Sequence, residues 1–429
     1  MPSPLSLPQR LRPYLPQDKA LLILILGGLT GVGGALAVLL FRLALVGLHD
    51  FFAPGSSGMV GMAKALPWWG RLLLPTIGGL LAGLLLDYGP KLTSSKGSTS
   101  YLEAITLGDG KLGVRNSLMR SLASLCSVAS GASIGREGPM VQLAALVGSS
   151  IGRYLKLSKG KLQLLVACGA TAGLASAYNA PIAGLLFVAE IAHGSLSKKT
   201  LAPLIVASVL ASVVSHRFFG IKPVYVMPTL PAITGGDVFL FLGLGVACGF
   251  AAPVFRWLLD ATRKGFSKIS PRRLITLPLG GLCVGLISIS HPNVWGNGYS
   301  VVNDILHTPW TATALLAILG FKVLATTLSY GSGAVGGVFT PTLFVGAALG
   351  SLYGLMLGFL SLTTANATVS YTVVGMGAFL SAVTYAPLMS ILMLFEMTLN
   401  YEIVLPLMLT CVISHHIAHR FRPDSIYRK

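Results

Sequence analysis

The chain predicts an all-α polytopic membrane protein built of many tilted, broken helices, and three observations carry that prediction. Of its 429 residues 53% are hydrophobic and only 10% charged, whereas a soluble domain carries about 25% charged residues. Windows such as Leu21–Leu40, Leu72–Leu86, Leu201–Val214 and Phe239–Val254 hold few or no charges, as membrane-spanning helices require. The third observation is that 51 glycines and 24 prolines interrupt the apolar runs. Short, broken helices at membrane depth are tolerated where they line a cavity or pack inside protein, as in transporters and channels.

Taken in order, residues 1–19 are polar and proline-punctuated and form an N-terminal segment ahead of the first span. Leu21–Leu48 reads as one long helix whose glycines permit close neighbours. Leu72–Tyr88 follows, and Pro90–Thr106 is the longest polar interruption. Ser117–Ser130 leads into a glycine-rich break, and a helix continues from it to about Tyr154. Leu162–Ala177 stops at Asn179-Ala-Pro181, after which a helix carries Glu190. Spans near 201–218 and 237–260, a basic loop over 263–273 and a span over 274–290 come next. A break at Gly296-Asn-Gly298 precedes spans near 312–328 and 342–360, with closing helices near 370–383, 387–397 and 402–419.

The formal net charge of +18 does not describe a nucleic-acid surface, because the basic residues gather at segment ends rather than on one polar face. Arg10, Arg12 and Lys19, the 263–273 cluster, and the C-terminal arginines fall on one side by the positive-inside rule, which puts both termini in the cytoplasm. The five cysteines stand singly in apolar segments and read as free buried thiols. His415 and His419 share a helix face with His416 between them, yet no further ligand accompanies them, so neither a metal nor another cofactor is expected. A phosphate loop, a zinc-spaced histidine pair and a nucleophile elbow are all missing, which argues against an enzyme.

The chain is organised around Gly131-Ala-Ser-Ile-Gly-Arg-Glu-Gly-Pro139. Glycines allow a sharp turn, and Pro139 suits the first turn of the helix that follows. The first amides of such a helix lack internal partners and, with the helix dipole, attract an anion. Glu137 is itself an anion at that site, so carboxylate and mobile anion compete for the same amides, which makes Glu137 a candidate gate. A purely structural carboxylate capping the helix is the plainer alternative.

An internal repeat supports the transporter reading. Ser130-Gly-Ala-x-x-Gly135-x-x-x-Pro139 recurs as Ser332-Gly-Ala-x-x-Gly337-x-x-x-Pro341, 202 positions on. Gly169, Ala172, Ala180, Pro181 and Glu190 recur as Gly375, Ala378, Ala386, Pro387 and Glu396, 206 positions on. Paired broken segments in two halves point to a site at the repeat interface. The relative orientation of the repeats is not readable from these matches.

Gly135-Arg-Glu-Gly-Pro139 with Gln142, Asn179-Ala-Pro181 and Gly336-Gly-Val-Phe-Thr-Pro341, in this order and spacing, resemble the CLC chloride channel and transporter family, and in particular its ClcB-type branch. The resemblance covers nearly the whole chain and implies two inverted repeats, a homodimer with one anion pathway per subunit, and a site in the bacterial inner membrane. It implies that Glu137 is the gating glutamate, and that Arg136 and Gly138 flank the outer anion site. The amides of Val338 and Phe339 would face a central chloride contacted by the hydroxyl of Tyr427. It further implies one transmembrane domain over 20–429, with repeat one about 70–220, repeat two about 237–419 and a tail carrying Tyr427. No cytoplasmic regulatory module is expected.

Two positions depart from the family pattern. Gly97-Ser-Thr-Ser-Tyr-Leu-Glu103 stands where the family has Gly-Ser-Gly-Ile-Pro-Glu, so Thr99 takes the place of the chloride-binding serine. In Leu186-Phe-Val-Ala-Glu190-Ile191 the position of the exchangers' inner proton-relay glutamate is Ile191, which carries no proton. The reading therefore leans to a channel or weakly coupled conduction of chloride, with a Cl-/H+ antiporter as the alternative and a fluoride or nitrate carrier behind it.

Overall fold

The computed structural model describes residues 18–89, 98, 100–193, 198–221, 223–228, 237–363, 367–424 and 426. The first helices are α1 (Lys19–Phe52), α2 (Gly58–Ala65), α3 (Trp68–Tyr88), α4 (Tyr101–Thr106) and α5 (Val114–Ala129). They are followed by α6 (Glu137–Tyr154), α7 (Lys159–Tyr178), α8 (Pro181–Phe187) and α9 (Lys198–Phe219), with a π-helical turn over Val188–His193 after α8. The second half holds α10 (Asp237–Ile269), α11 (Arg273–Ser290), α12 (Tyr299–His307), α13 (Ala312–Ser332), α14 (Phe339–Phe359), α15 (Thr368–Thr384), α16 (Pro387–Thr398) and α17 (Val404–Phe421). Among the described residues there is no strand, only isolated bridges. Among the described residues seven helices are long and apolar enough to cross a bilayer (α1, α3, α9, α10, α11, α13 and α14), and α15 and α16 are shorter apolar helices. The chain is a multi-pass membrane protein.

The basic stretch expected as a loop over 263–273 is mostly helix. α10 runs on to Ile269 and α11 starts at Arg273, leaving Ser270–Arg272 as the connection. Lys and Arg are good helix formers, and a cation in the last turn, here Lys268, meets the negative end of the helix dipole. The polar interruption after Tyr88 likewise contains the short helix α4.

The contacts divide the chain into two compact units. One comprises residues 1–43, 89–121 and 137–222; the other comprises 44–88, 122–136 and 223–429. In the first, α6 lies antiparallel on α7, and α7 also packs on α8 and α9. A Cβ on Gly148 would lie 2.1 Å from the Leu165 carbonyl oxygen, so the two backbones touch.

In the second unit α14 packs on α15 in the same way. A Cβ on Gly350 would lie 2.1 Å from the Tyr371 carbonyl oxygen. Gly350 and Tyr371 are the repeat equivalents of Gly148 and Leu165 at the offsets of 202 and 206. The sequence repeat is thus a repeat of backbone contact, achieved with small residues where membrane helices pack most closely.

Two equivalent helices, α3 and α11, also meet inside this unit and run antiparallel. A Cβ on Gly79 would be 2.5 Å from the Leu277 carbonyl oxygen, and one on Gly281 would be 2.1 Å from that of Pro75. Each contact is the other shifted by 202 positions, which is the signature of a local two-fold. Antiparallel equivalents are what inverted repeats require.

Gly281→Ala is expected to destabilise the protein by roughly 1–3 kcal/mol through overpacking at backbone. Gly320→Ala, on α13 with nothing within 4 Å of a built Cβ, is expected to stabilise it by about 0.5–1 kcal/mol through chain entropy. Thermal melts of the two variants in one detergent should therefore move in opposite directions.

Candidate functional site

The glycine-rich break in the first half begins as a helix stop. Gly131, at φ +106°, ends α5 in a Schellman turn, with Gly131 N–H donating to Val128 O at 3.2 Å and Ala132 N–H to Ser127 O at 3.0 Å. The second half repeats the turn after α13. Gly333 has φ +95°, its N–H donates to Tyr330 O at 3.1 Å, and Ala334 N–H donates to Ser329 O at 3.2 Å. The two loops then join. Gly135 N–H donates to Gly337 O at 2.7 Å and Gly337 N–H donates back to Gly135 O at 2.9 Å. These glycines are repeat equivalents, so the local two-fold passes through their bridge. Arg136, half-buried, and Val338, 5% exposed, each follow a bridged glycine.

Two residues beyond each bridged glycine a helix begins. Glu137 is the first residue of α6, with Gly138 and Pro139 in the same turn, and only 5% of its surface is exposed. A carboxylate there is favoured by the dipole of an 18-residue helix. Phe339 is the first residue of α14, Val338 is its N-cap, and both side chains are buried. Of the remaining site residues expected from the sequence, Thr99 and Tyr427 lie outside the described residues.

The segment just after Thr99 is pinned to the first unit by side chains whose role the sequence reading did not derive. Gln142 on α6 accepts from the Tyr101 amide at the start of α4 (2.9 Å) and donates to Ser117 Oγ (2.9 Å). Ser149 Oγ accepts from Leu112 N–H and donates to Gly110 O, at 2.9 and 2.8 Å. Gln163 on α7 donates to Ile105 O and Gly108 O, at 3.0 and 3.1 Å. An amide or hydroxyl within a mostly apolar helix was the available signal.

Asn179-Ala-Pro181 and its counterpart form matching corners. Asn179 (φ +56°) and Tyr385 (φ +60°) are left-handed helix caps, and Pro181 and Pro387 open the next helices. Asn179 Oδ1 lies 2.5 Å from His216 Nε2, while Tyr385 Oη accepts from Arg256 Nη1 at 3.0 Å. The rings of His415 and His419 each stand 5.4 Å from the Tyr385 ring, edge-on. No group of three or more His, Cys, Asp or Glu with metal-holding geometry occurs among the described residues.

Glu190 and Glu396 match in sequence but not in local structure. Glu190 lies in the π-helical turn, half-buried, and Glu396 lies in regular α16 at 8% exposure. Ile191, in the same π turn, is 5% exposed. π turns are rare and concentrate at functional sites.

Removing the Gln142 amide leaves buried partners unmet, a cost of roughly 1–3 kcal/mol. Gln142→Leu, close in volume, is therefore expected to lower thermal stability and to raise hydrogen exchange in α4, while exchange in α14 stays unchanged.

The chain is similar to known proteins over most of its length. The family model described as voltage gated chloride channel matches residues 78–419. A ClcB-like protein of Ralstonia nicotianae is 54% identical over 411 residues, covering 95% of this chain and 96% of the relative. A protein of Citrobacter koseri named voltage-gated ClC-type chloride channel ClcB is 40% identical over 410 residues, covering 95% and 98%. Among solved structures, a slow cyanobacterial Cl-/H+ antiporter superimposes with a TM-score of 0.83 at 24% identity, covering 94% of this chain and 96% of the other. A CLC-type fluoride/proton antiporter superimposes with a TM-score of 0.78 at 22% identity over the same shares. The chain belongs to the voltage-gated chloride channel family, the CLC family, and has its fold.

Proposed function

We propose that the protein carries chloride across the bacterial inner membrane, as a homodimer with cytoplasmic termini and one transmembrane domain over 20–429, and that Glu137 gates each pathway. The observation that carries this reading is the placement of a buried carboxylate as the first residue of α6. Ionised, it occupies the amides an anion would use; protonated, it gives them up. The amides of Val338 and Phe339 at the start of α14 would hold the central anion, together with the hydroxyls of Thr99 and Tyr427. Arg136 and Gly138 would shape the outer position. A hydrogen bond to a charged partner is worth about 1.5–3 kcal/mol, so several such donors offset dehydration while letting the ion leave.

Ile191 supports uncoupled or weakly coupled conduction, because an apolar, buried side chain at that place relays no proton. Coupled Cl-/H+ exchange is the second reading, favoured by the likeness to an antiporter fold, and it would need a proton route that avoids position 191. Fluoride or nitrate as cargo is less well supported, since Tyr427, the residue that fluoride-type relatives usually alter, is retained.

Chloride efflux from liposomes, with external pH recorded and voltage clamped by potassium and valinomycin, tests both points. A linked, uphill proton flux would establish exchange; chloride flux without it would establish a channel or uniporter. Because the ionised carboxylate closes the path in this reading, wild-type flux should fall as pH rises, and Glu137→Gln should flatten that dependence. A Glu137→Gln variant that keeps the wild-type pH profile would remove Glu137 as the gate.

A further inference from the structure

Lys322 sits on α13 with none of its surface exposed, inside a membrane-spanning segment. Its Nζ donates to Val294 O and to Gly296 O, each at 2.7 Å. Both partners are neutral carbonyls. A lysine taken out of water with no carboxylate paired to it among the described residues is a poor choice for stability alone, and an apolar residue of similar length would serve a purely structural role better. An ionisable residue at membrane depth calls for a functional account.

What the amino group grips is the backbone on either side of Trp295. The Trp295 side chain is fully buried, and its indole lies against Gly131. A Cβ on Gly131 would be 2.5 Å from indole Cδ2 and 2.7 Å from both Cε2 and Cε3, so the ring covers the glycine face-on. Gly131 opens the loop that ends at Glu137. The same face of α13 holds this loop a second time. Ser329 Oγ accepts from Ser133 N–H, and Thr326 Oγ1 lies 3.1 Å from Ser133 Oγ. Residues 322, 326 and 329 follow the i, i+4, i+7 spacing of one helical face.

The repeat supplies an internal control. Gly333, the equivalent of Gly131, is covered not by an indole but by the exposed side chain of Arg273. The equivalent of Ser133 is Val335, which has no hydroxyl. The second turn is tied instead by Thr276 Oγ1, which donates to Ser332 O at 2.8 Å, so the indole cover and the Ser133 hydroxyl contact are particular to the loop that bears the glutamate and are not a requirement of the turn itself.

We propose that Lys322 and Trp295 are positioning residues of the gate: the amino group clamps the Trp295 backbone, the indole presses on Gly131, and the loop 131–136 is thereby held at the position from which Glu137 acts. This inference rests on the gating role of Glu137, and its test separates the two.

Hydrogen exchange at the amides of residues 131–136, in purified full-length protein, reads the brace directly. Lys322→Met is expected to raise it by about tenfold or more, with the α3 and α11 amides unchanged, and Lys322→Arg to restore it largely. Chloride flux reads the action on the gate. Lys322→Met should change flux by about threefold or more in the native background, yet by less than about 1.5-fold when combined with Glu137→Gln, because a gate that cannot close cannot be mispositioned.

Unchanged exchange in Lys322→Met would overturn the brace. Raised exchange with equal flux effects in both backgrounds would overturn its action through Glu137. A Glu137→Gln variant with wild-type pH dependence would instead remove the gating reading, and exchange alone would then decide whether the brace exists. Should Lys322→Met fail to fold, Trp295→Phe, which keeps an apolar ring but less of it, is judged by the same two readouts and the same outcomes.

Discussion

Two hydrogen bonds between Gly135 and Gly337 are the constraint on which the arrangement depends. They join two loops that have just ended one helix each and are about to begin another. The donors and acceptors are backbone groups in a water-poor interior, where an unmet amide costs about 1–3 kcal/mol. Side chains would keep the loops apart, since a Cβ on the neighbouring Gly336 would fall 2.6 Å from Gly135 O. With the loops locked in register, α6 and α14 start at the same remove from the bridge, one with Glu137 and the other with Phe339.

Local structure repeats to a fine level. The Schellman turns match, as do the glycine contacts of α3 with α11 inside the second unit, and the left-handed cap at Asn179 has its like at Tyr385. Against that background the departures stand out as chemistry rather than architecture. The first loop carries a carboxylate where the second carries Phe339, and Ser133 where the second carries Val335. It is covered by a clamped indole where the second is covered by an exposed arginine. Symmetry fixes where two helices begin; asymmetry places an ionisable carboxylate, Glu137, at only one of the two starts.

Much of this was legible in the residues. The offset of 202 between the two Ser-Gly-Ala turns foretold equivalent loops, because the left-handed stop and the proline in the next first turn leave local marks. The extent of α10 exceeds what polarity suggests, since a cluster of Lys and Arg looks like a loop when only polarity is weighed, although both residues favour helix. The π turn at Glu190 left no mark, because its cause lies in packing and not in local propensity. Gln142 was visible as a motif residue, but its bond to the Tyr101 amide joins positions 41 apart and has no local signal.

The sequence by itself determined the class of the molecule, the places where its helices break, the doubling of its loops and the lone carboxylate at one of them. These follow from composition and from short-range backbone chemistry. Only the tertiary structure decided that equivalent helices run antiparallel, that the two loops exchange hydrogen bonds, and that Lys322 reaches the backbone around Trp295. Each of these joins residues that lie tens to hundreds of positions apart. Such contacts arise from how helix faces fit together, which no local pattern along the chain encodes.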